Sequence, residues 1–268
     1  MLLERISQAQ RVWLLLDYDG TLVDFEPTPD IIRPNPDLIG LLTDLTQAAG
    51  LRLAIISGRR LADLRALIPV EGIWLAGTYG AEWLTPTGEL VERFDREQLR
   101  PTLELIKAEW QALVSGEEGF HLEDKGLALA LHAKYAEDRL AENKLAAARQ
   151  IIEHYSGPEP FLYILGGHKF LEVAPVICDK GLAVQYLIEI EPWPGAKLFC
   201  LGDDDKDEVA FETVHKLGGI CILIARELRH TKARYFLKSP VQVREWLANV
   251  LSDRLAVGTG LANSSAAD

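Results

Sequence analysis

The chain is predicted to fold as an α/β protein, a doubly wound parallel sheet interrupted by a second, smaller α/β domain. Short apolar runs alternate with helical patterns at both ends of the chain, as parallel sheets with helices on both faces require. Three of these runs stop abruptly at polar turns. Between about residues 94 and 174 the alternation gives way to an α-β-β-α-β-β order that is foreign to its flanks.

Val12 to Leu16 is a continuous apolar run, the mark of a strand buried on both faces, although periodicity alone also admits a turn of helix. It ends at Asp17-Tyr18-Asp19, and Gly20 permits a sharp exit of the chain. A Pro-rich loop from Pro27 to Pro36 leads to a helix over 36–49, which Gly50 ends. Residues 51–56 read as the second strand, closed by Ser57-Gly58-Arg59, and a helix through Leu61, Leu64 and Leu67 stops at Pro69. A third strand over 73–76 precedes a hairpin over 82–93, turned at Thr85-Pro86-Thr87-Gly88. The interrupting segment reads as helix 96–115, strands 119–125 and 127–134, helix 136–155, and strands 160–166 and 168–173. After Pro175 the first rhythm resumes: helix 179–190, strand 197–201, helix 206–217, strand 219–224 and helix 240–252. The expected organisation is a discontinuous core of 1–93 and 175–255, an inserted α/β cap of 94–174, and a small, polar, disordered tail of 256–268.

Composition narrows the partners. A 48% apolar share over 268 residues supports a sizeable core, and the net charge is −12 without a basic block. Nucleic acid and anionic membrane surfaces both require clustered Lys and Arg, so neither is expected as a partner. An anionic small molecule then needs a metal and a few local cations to overcome the overall field. Cys178, Cys200 and Cys221 are widely spaced and include no CxxC pair, so neither a zinc site nor a disulfide framework is suggested. The first apolar run is too short for a signal peptide and ends in acids, and no segment reaches membrane-spanning length. A cytoplasmic monomer is expected.

Strand ends converge on one rim of a parallel sheet, here bringing together Asp17 and Asp19, Ser57, and the acidic turn Asp203-Asp204-Asp205-Lys206-Asp207. Taken singly, Ser57-Gly58 reads as an ordinary turn, Lys180 as a solvated helix residue and 203–208 as a solvated helix start. Together and in this order they supply phosphoryl transfer through an aspartate. A carboxylate nucleophile splits one difficult displacement into two easier ones. A second acid protonates the leaving alcohol and then deprotonates water. Ser57 and Lys180 bind non-bridging phosphate oxygens. A hard divalent cation offsets carboxylate–phosphate repulsion, and oxygen ligands favour Mg²⁺. A calcium loop starting at Asp203 fails at Glu208 and Val214, and Gly258-Thr259-Gly260 lacks the third glycine of a dinucleotide fingerprint.

Asp-Tyr-Asp-Gly-Thr at 17–21, Ile-Ser-Gly-Arg at 56–59, Gly80-Ala81-Glu82, Leu171-Glu172-Val173 before Pro175, Lys180-Gly181, and Gly-Asp-Asp-x-x-Asp-Glu at 202–208 occur in the order found in trehalose-6-phosphate phosphatases. Over most of its length the chain resembles that family of the haloacid dehalogenase-like (HAD) superfamily. The resemblance implies a HAD-like core with an inserted cap and hydrolysis of a sugar phosphate by way of Asp17, Asp19, Ser57 and Lys180. It implies Mg²⁺ held by Asp17, the Asp19 backbone carbonyl and Asp203, with Asp204 and Asp207 behind them. Gly58 and Arg59 fall on the substrate side, and Glu123, Lys125 and Glu172 match the family's sugar contacts. Read without the family, those last three are exposed strand charges. The chain departs from the family pattern at Thr78-Tyr79, Ala174 and Lys206, positions near the sugar end. Glucosyl- or mannosyl-glycerol or glycerate phosphates therefore stay open as substrates, as does a non-catalytic metal- or sugar-binding module on the same fold.

Overall fold

The alternation of side chains along the first strand sets the layers of the molecule. In the computed structural model, which describes residues 6, 8–24, 33–156 and 161–264 with side chains to 256, β1 spans Val12–Leu16. Successive side chains of a strand point to opposite faces. Val12, Leu14 and Leu16 join one buried cluster, and Trp13 and Leu15 another. The first cluster is covered by α1 (Pro36–Gln47), α2 (Leu61–Leu67) and α7 (Pro240–Ser264), through Leu38, Leu64 and Leu247 among others. The second is covered by α5 (Lys180–Ile190) and α6 (Asp207–Lys216), through Val184, Leu187 and Phe211. A sheet buried on both faces explains why its strands read as continuous apolar runs.

The other strands of this sheet are β2 (Leu51–Ile56), β3 (Trp74–Gly77), β4 (Glu82–Leu84), β5 (Leu90–Glu92), β10 (Lys197–Gly202), β11 (Ile220–Ile224) and β12 (Tyr235–Leu237). Their order is β12-β11-β10-β1-β2-β3-β4-β5. All pairs from β12 to β3 are parallel, and β4 runs antiparallel to β3. The chain thus moves outward from β1 through β2 and β3, and later returns to β10 on the other side of β1. That reversal is a topological switch point, and its crevice opens at the carboxyl ends of β1 and β10.

The chain divides into two compact units, one holding residues up to Val91 and from Asp179 on, the other Glu92–Cys178. The second unit has an antiparallel sheet ordered β6-β7-β9-β8, built from β6 (His121–Asp124), β7 (Leu129–His132), β8 (Leu162–Gly167) and β9 (Phe170–Pro175). Its helices α3 (Arg96–Leu113) and α4 (Asp138–Ser156) are joined by a hydrogen bond from Trp110 Nε1 to the Ala148 carbonyl, 3.1 Å. The second boundary falls after Cys178, where the sequence suggests Pro175. Val176 N donates to the Phe161 carbonyl and Cys178 N to the Pro175 carbonyl, which keeps these residues with β9.

Several expectations are corrected. β12 is not anticipated, because its three residues follow a basic stretch and are too few to show a pattern. Thr78–Gly80 forms a single 3₁₀ turn that the sequence does not announce. The last helix runs to Ser264, past the expected end at 252 and into the expected tail, since no proline follows Pro240 to stop it. Residues 265–268 of that tail, and the 27–32 portion of the Pro-rich loop, lie outside the described residues. Cys200 and Cys221 are buried free thiols, paired across β10 and β11, and the Cys221 thiol donates to the Phe211 carbonyl at 3.5 Å. No described helix is long and apolar enough to cross a membrane.

Candidate active site

Asp17 stands at the carboxyl end of β1, where its backbone N–H still donates to Leu201 on β10, 3.0 Å. The chain then turns tightly. Leu22 N donates to the Tyr18 carbonyl at 2.8 Å, Gly20 N to the Val23 carbonyl at 2.8 Å, and Gly20 adopts φ +78°. Only glycine takes that conformation without strain. The turn leaves the Asp17 carboxylate buried.

Asp179 caps α5, its carboxylate accepting from Leu182 N at 2.8 Å, which places Lys180 in the first helical position. The buried Lys180 ammonium donates to Asp17 Oδ1 at 2.7 Å and to Asp207 Oδ1 at 2.6 Å. The second oxygen of Asp207 accepts from the backbone N–H groups of Asp203 and Asp204, at 3.0 and 3.1 Å. Gly202 makes room for this, because a Cβ there would lie 2.2 Å from Asp207 Cγ. Asp204 Oδ1 closes the turn by accepting from Lys206 N and Asp207 N, at 2.8 and 3.2 Å.

Ligand oxygens of Asp17, Asp203 and Asp207 lie within 4.8 Å of one another. Burial, and after it the charges of the neighbouring carboxylates Asp17 and Asp207, push Asp203 up to about 9. Burial likewise lifts Asp207 to about 8 and raises Asp17, against the opposing pull of Lys180 on both. Burial works against the Lys180 charge, yet Asp17 and Asp207 outweigh it and hold its pKa well above the usual lysine range. Burial also opposes the Asp204 carboxylate, but Lys180 and Lys206 lower its pKa overall. Fully ionised, the cluster would carry more negative charge than one ammonium balances, which is why its carboxylates hold protons without a metal. An all-oxygen donor set with surplus charge fits a hard divalent cation. Asp207 has its oxygens engaged by Lys180 and two backbone donors, so Asp17 and Asp203 are the carboxylates suited to hold the ion, with Asp207 positioning the loop.

Asp19 faces a different partner. Arg59 grips it bidentately, Nε to Oδ2 and Nη2 to Oδ1, both at 2.7 Å. The Arg59 backbone N–H donates to Ser57 Oγ at 3.2 Å, and Ser57 N donates to the Ala76 carbonyl at 2.9 Å. Arg59, expected on the substrate side, is therefore engaged with Asp19, the residue expected to carry the proton. Nothing in the sequence pairs two residues 40 positions apart.

The structure brings Glu123, Lys125 and Glu172 together in the second unit. Glu123 pairs with Ala130 across β6 and β7, and Ala130 with Glu172 across β7 and β9, so the two acids share one face with a small residue between them. The Lys125 ammonium reaches both Glu172 oxygens at 3.2 Å. They are not exposed strand charges: Glu172 is 0% exposed and Lys125 9%. Half-buried Glu123 meets His132 Nε2 at 3.0 Å. Burial opposes its charge, but the His132 hydrogen bond and Lys125 outweigh it and lower the pKa.

Comparison with known proteins follows the same residues. The trehalose-phosphatase family model matches residues 15–241. A probable trehalose-phosphate phosphatase of Sinorhizobium fredii is 32% identical over 241 residues, covering 88% of this chain and 86% of the relative. The trehalose-phosphate phosphatase of Mycobacterium leprae is 33% identical over 262 residues, and the match spans 91% of this chain and 59% of that longer protein. The trehalose-6-phosphate phosphatase C-terminal domain of C. albicans superposes with a TM-score of 0.79 at 24% identity, over 94% of this chain and 95% of that one. That likeness supports the HAD-like fold.

Proposed function

Because the chain belongs to the trehalose-phosphatase family, we propose that it is a Mg²⁺-dependent phosphatase hydrolysing trehalose 6-phosphate to trehalose and phosphate, as a cytoplasmic monomer. The observation that carries the chemistry is Asp17 at the switch point, buried and hydrogen-bonded to Lys180 beside two further carboxylates.

In this reading an Asp17 oxygen attacks phosphorus and the bond to the sugar oxygen breaks. Asp19 gives that oxygen its proton. Water then attacks the phospho-aspartate, Asp19 takes the proton back, and phosphate leaves. Ser57, whose oxygen already accepts from Arg59 N, turns its hydroxyl hydrogen toward a phosphoryl oxygen. Lys180 orients the Asp17 carboxylate, and its charge opposes the protonation that burial favours. Bound Mg²⁺ supplies the positive charge that lets a carboxylate and a phosphate meet. Asp19 must leave Arg59 to act, so the ion pair holds the proton carrier aside until substrate arrives.

Phosphate release from a panel of sugar phosphates, with and without Mg²⁺, tests the proposal. Trehalose 6-phosphate is expected to lead the panel, and loss of release on chelation is expected. A better glucosylglycerol or mannosylglycerate phosphate would reassign the substrate, and no release from any would overturn the reading.

The metal also has a signature in stability. Carboxylates raised in the folded state bind protons that the unfolded chain has already lost. Without a divalent ion, stability therefore falls as pH rises from the ordinary carboxylate range through about 8–9. Mg²⁺ replaces those protons, so it should raise Tm more at about pH 8.5 than at about pH 5.5. An equal shift at both values would count against the acid cluster as the site.

Glu123, Lys125 and Glu172 are proposed to read the sugar. Glu123→Ala should lower kcat/KM for trehalose 6-phosphate by about 1.5–3 kcal/mol, the worth of a hydrogen bond to a charged group. An aryl phosphate, lacking the sugar, should be hydrolysed as before. Glu172→Ala is a poorer test, because breaking the buried Glu172–Lys125 ion pair from one side costs about 3–5 kcal/mol of stability. Glu172→Gln keeps a hydrogen-bond acceptor for the ammonium. A parallel loss on both substrates in Glu123→Ala would sink the sugar-reading role.

A further inference from the structure

The loop after β10 is fastened from two sides. From one side, Asp207 Oδ2 accepts from the backbone N–H groups of Asp203 and Asp204. From the other, the connection between β11 and β12 lies against the loop through the half-buried Arg229. Its Nη2 donates to the Asp203 carbonyl at 3.1 Å and its Nη1 to Asp205 Oδ1 at 2.7 Å. Nη1 also lies 3.6 Å from Glu208 Oε1. Lys232 N donates to Glu208 Oε2 at 2.8 Å, so the same connection holds the first turn of α6 as well.

These contacts fix the direction of one side chain. Each peptide unit is planar, so the two planes flanking a Cα set where its Cβ points. The plane before Asp203 is held by the bond from Asp203 N to Asp207. The plane after it is held at both ends, its N–H by Asp207 and its carbonyl by Arg229. Asp207 is anchored in turn by Lys180. Arg229 adds a hold that comes from a separate segment of the chain. A guanidinium suits the place, because its rigid fork reaches a carboxylate with one nitrogen and a carbonyl with the other.

We propose that Arg229 is a positioning residue for divalent-metal binding: by holding the Asp203 carbonyl it keeps the Asp203 carboxylate turned toward those of Asp17 and Asp207, within 4.8 Å. The role rests on the Mg²⁺-dependent reading above and extends it to a residue outside the acid cluster. Partners that orient metal ligands are typically worth about 10–100-fold in metal affinity. Charge alone predicts the opposite sign. Arg229 is a cation beside a cation site, so removing it makes the surroundings more negative and should tighten the hold on a divalent ion. The direction of the change therefore separates positioning from charge.

Calorimetric titration of the whole chain with Mg²⁺, after removal of metal by chelation, reads that direction without turnover. The wild type should bind the ion. Arg229→Met and Arg229→Ala, which donate no hydrogen bond, should bind it about tenfold or more weakly. Arg229→Gln has the same charge as the methionine variant but can still donate to the Asp203 carbonyl, so its affinity should fall between that variant and wild type. A residue that only supports the fold would lower the Tm of the metal-free protein and leave the Mg²⁺ affinity of the folded protein unchanged. Circular dichroism shows which variants are folded. Unchanged or tighter Mg²⁺ binding in folded Arg229→Met or Arg229→Ala overturns the assignment, as does failure of both to fold or no binding by the wild type. Phosphatase activity is read separately from wild-type turnover. Arg229-dependent Mg²⁺ binding without turnover would remove the activity and leave the positioning role standing, and turnover with Arg229-independent binding would do the reverse.

Discussion

Asp17→Asn is expected to abolish phosphate release while the protein stays folded. An amide is no nucleophile, so the phospho-aspartate cannot form, and the loss should be on the order of a millionfold, the size found when a covalent nucleophile is removed. The fold should tolerate the change, because Lys180 keeps Asp207 at 2.6 Å and the amide oxygen can still accept from the ammonium. Burial and the neighbouring Asp204 already strain the Asp17 charge, so a neutral side chain relieves repulsion in the cluster. Steady-state release of phosphate and a thermal unfolding curve measure both halves. Near-native release by a folded Asp17→Asn protein would exclude the aspartyl route.

Asp19→Asn should cost less and in a more particular way. General acid–base catalysis is typically worth about 10²–10⁴-fold, and an amide can neither give the leaving oxygen a proton nor take one from water. An aryl phosphate carries a leaving group that departs without protonation. For it the first step should survive better than the second, and phospho-enzyme should accumulate in a burst. The trehalose ester should lose both steps. Equal losses for good and poor leaving groups would remove Asp19 from the proton-carrying role. The substitution also spoils the bidentate grip of Arg59, since an amide offers one acceptor where the carboxylate offers two.

The sheet was legible because its strands are buried on both faces, so Val12–Leu16, Leu51–Ile56 and Lys197–Gly202 announce themselves as apolar runs that stop at polar turns. The acids and Lys180 were legible for the same reason, as they follow directly from those strand ends and one helix start. Partnerships were not. Arg59 and Asp19, Lys125 and Glu172, and Lys206 and Tyr79 are separated by 40, 47 and 127 residues, and no local pattern encodes such pairs. The short β12 was hidden as well. So was Arg229 ahead of it, which donates to the Asp203 carbonyl at 3.1 Å and pairs with Asp205 at 2.7 Å. The left-handed backbone at Thr78 and Tyr79 carries no signal, because neither residue type favours it.

The bond between Lys180 and Asp17 joins residues 163 positions apart, and this has a consequence for the newborn chain. At a synthesis rate of ~5–20 residues per second, roughly 10–30 s pass between the emergence of Asp17 and that of Lys180. Throughout that interval β1 can pair with β2, but its other edge stays open until β10 has been made. Burying the Asp17 carboxylate early, with no cation to meet it, would be unfavourable. An exposed strand edge in a half-made chain is where wrong pairings begin, and an acid at the end of β1 opposes burial of that edge before Lys180 has been made.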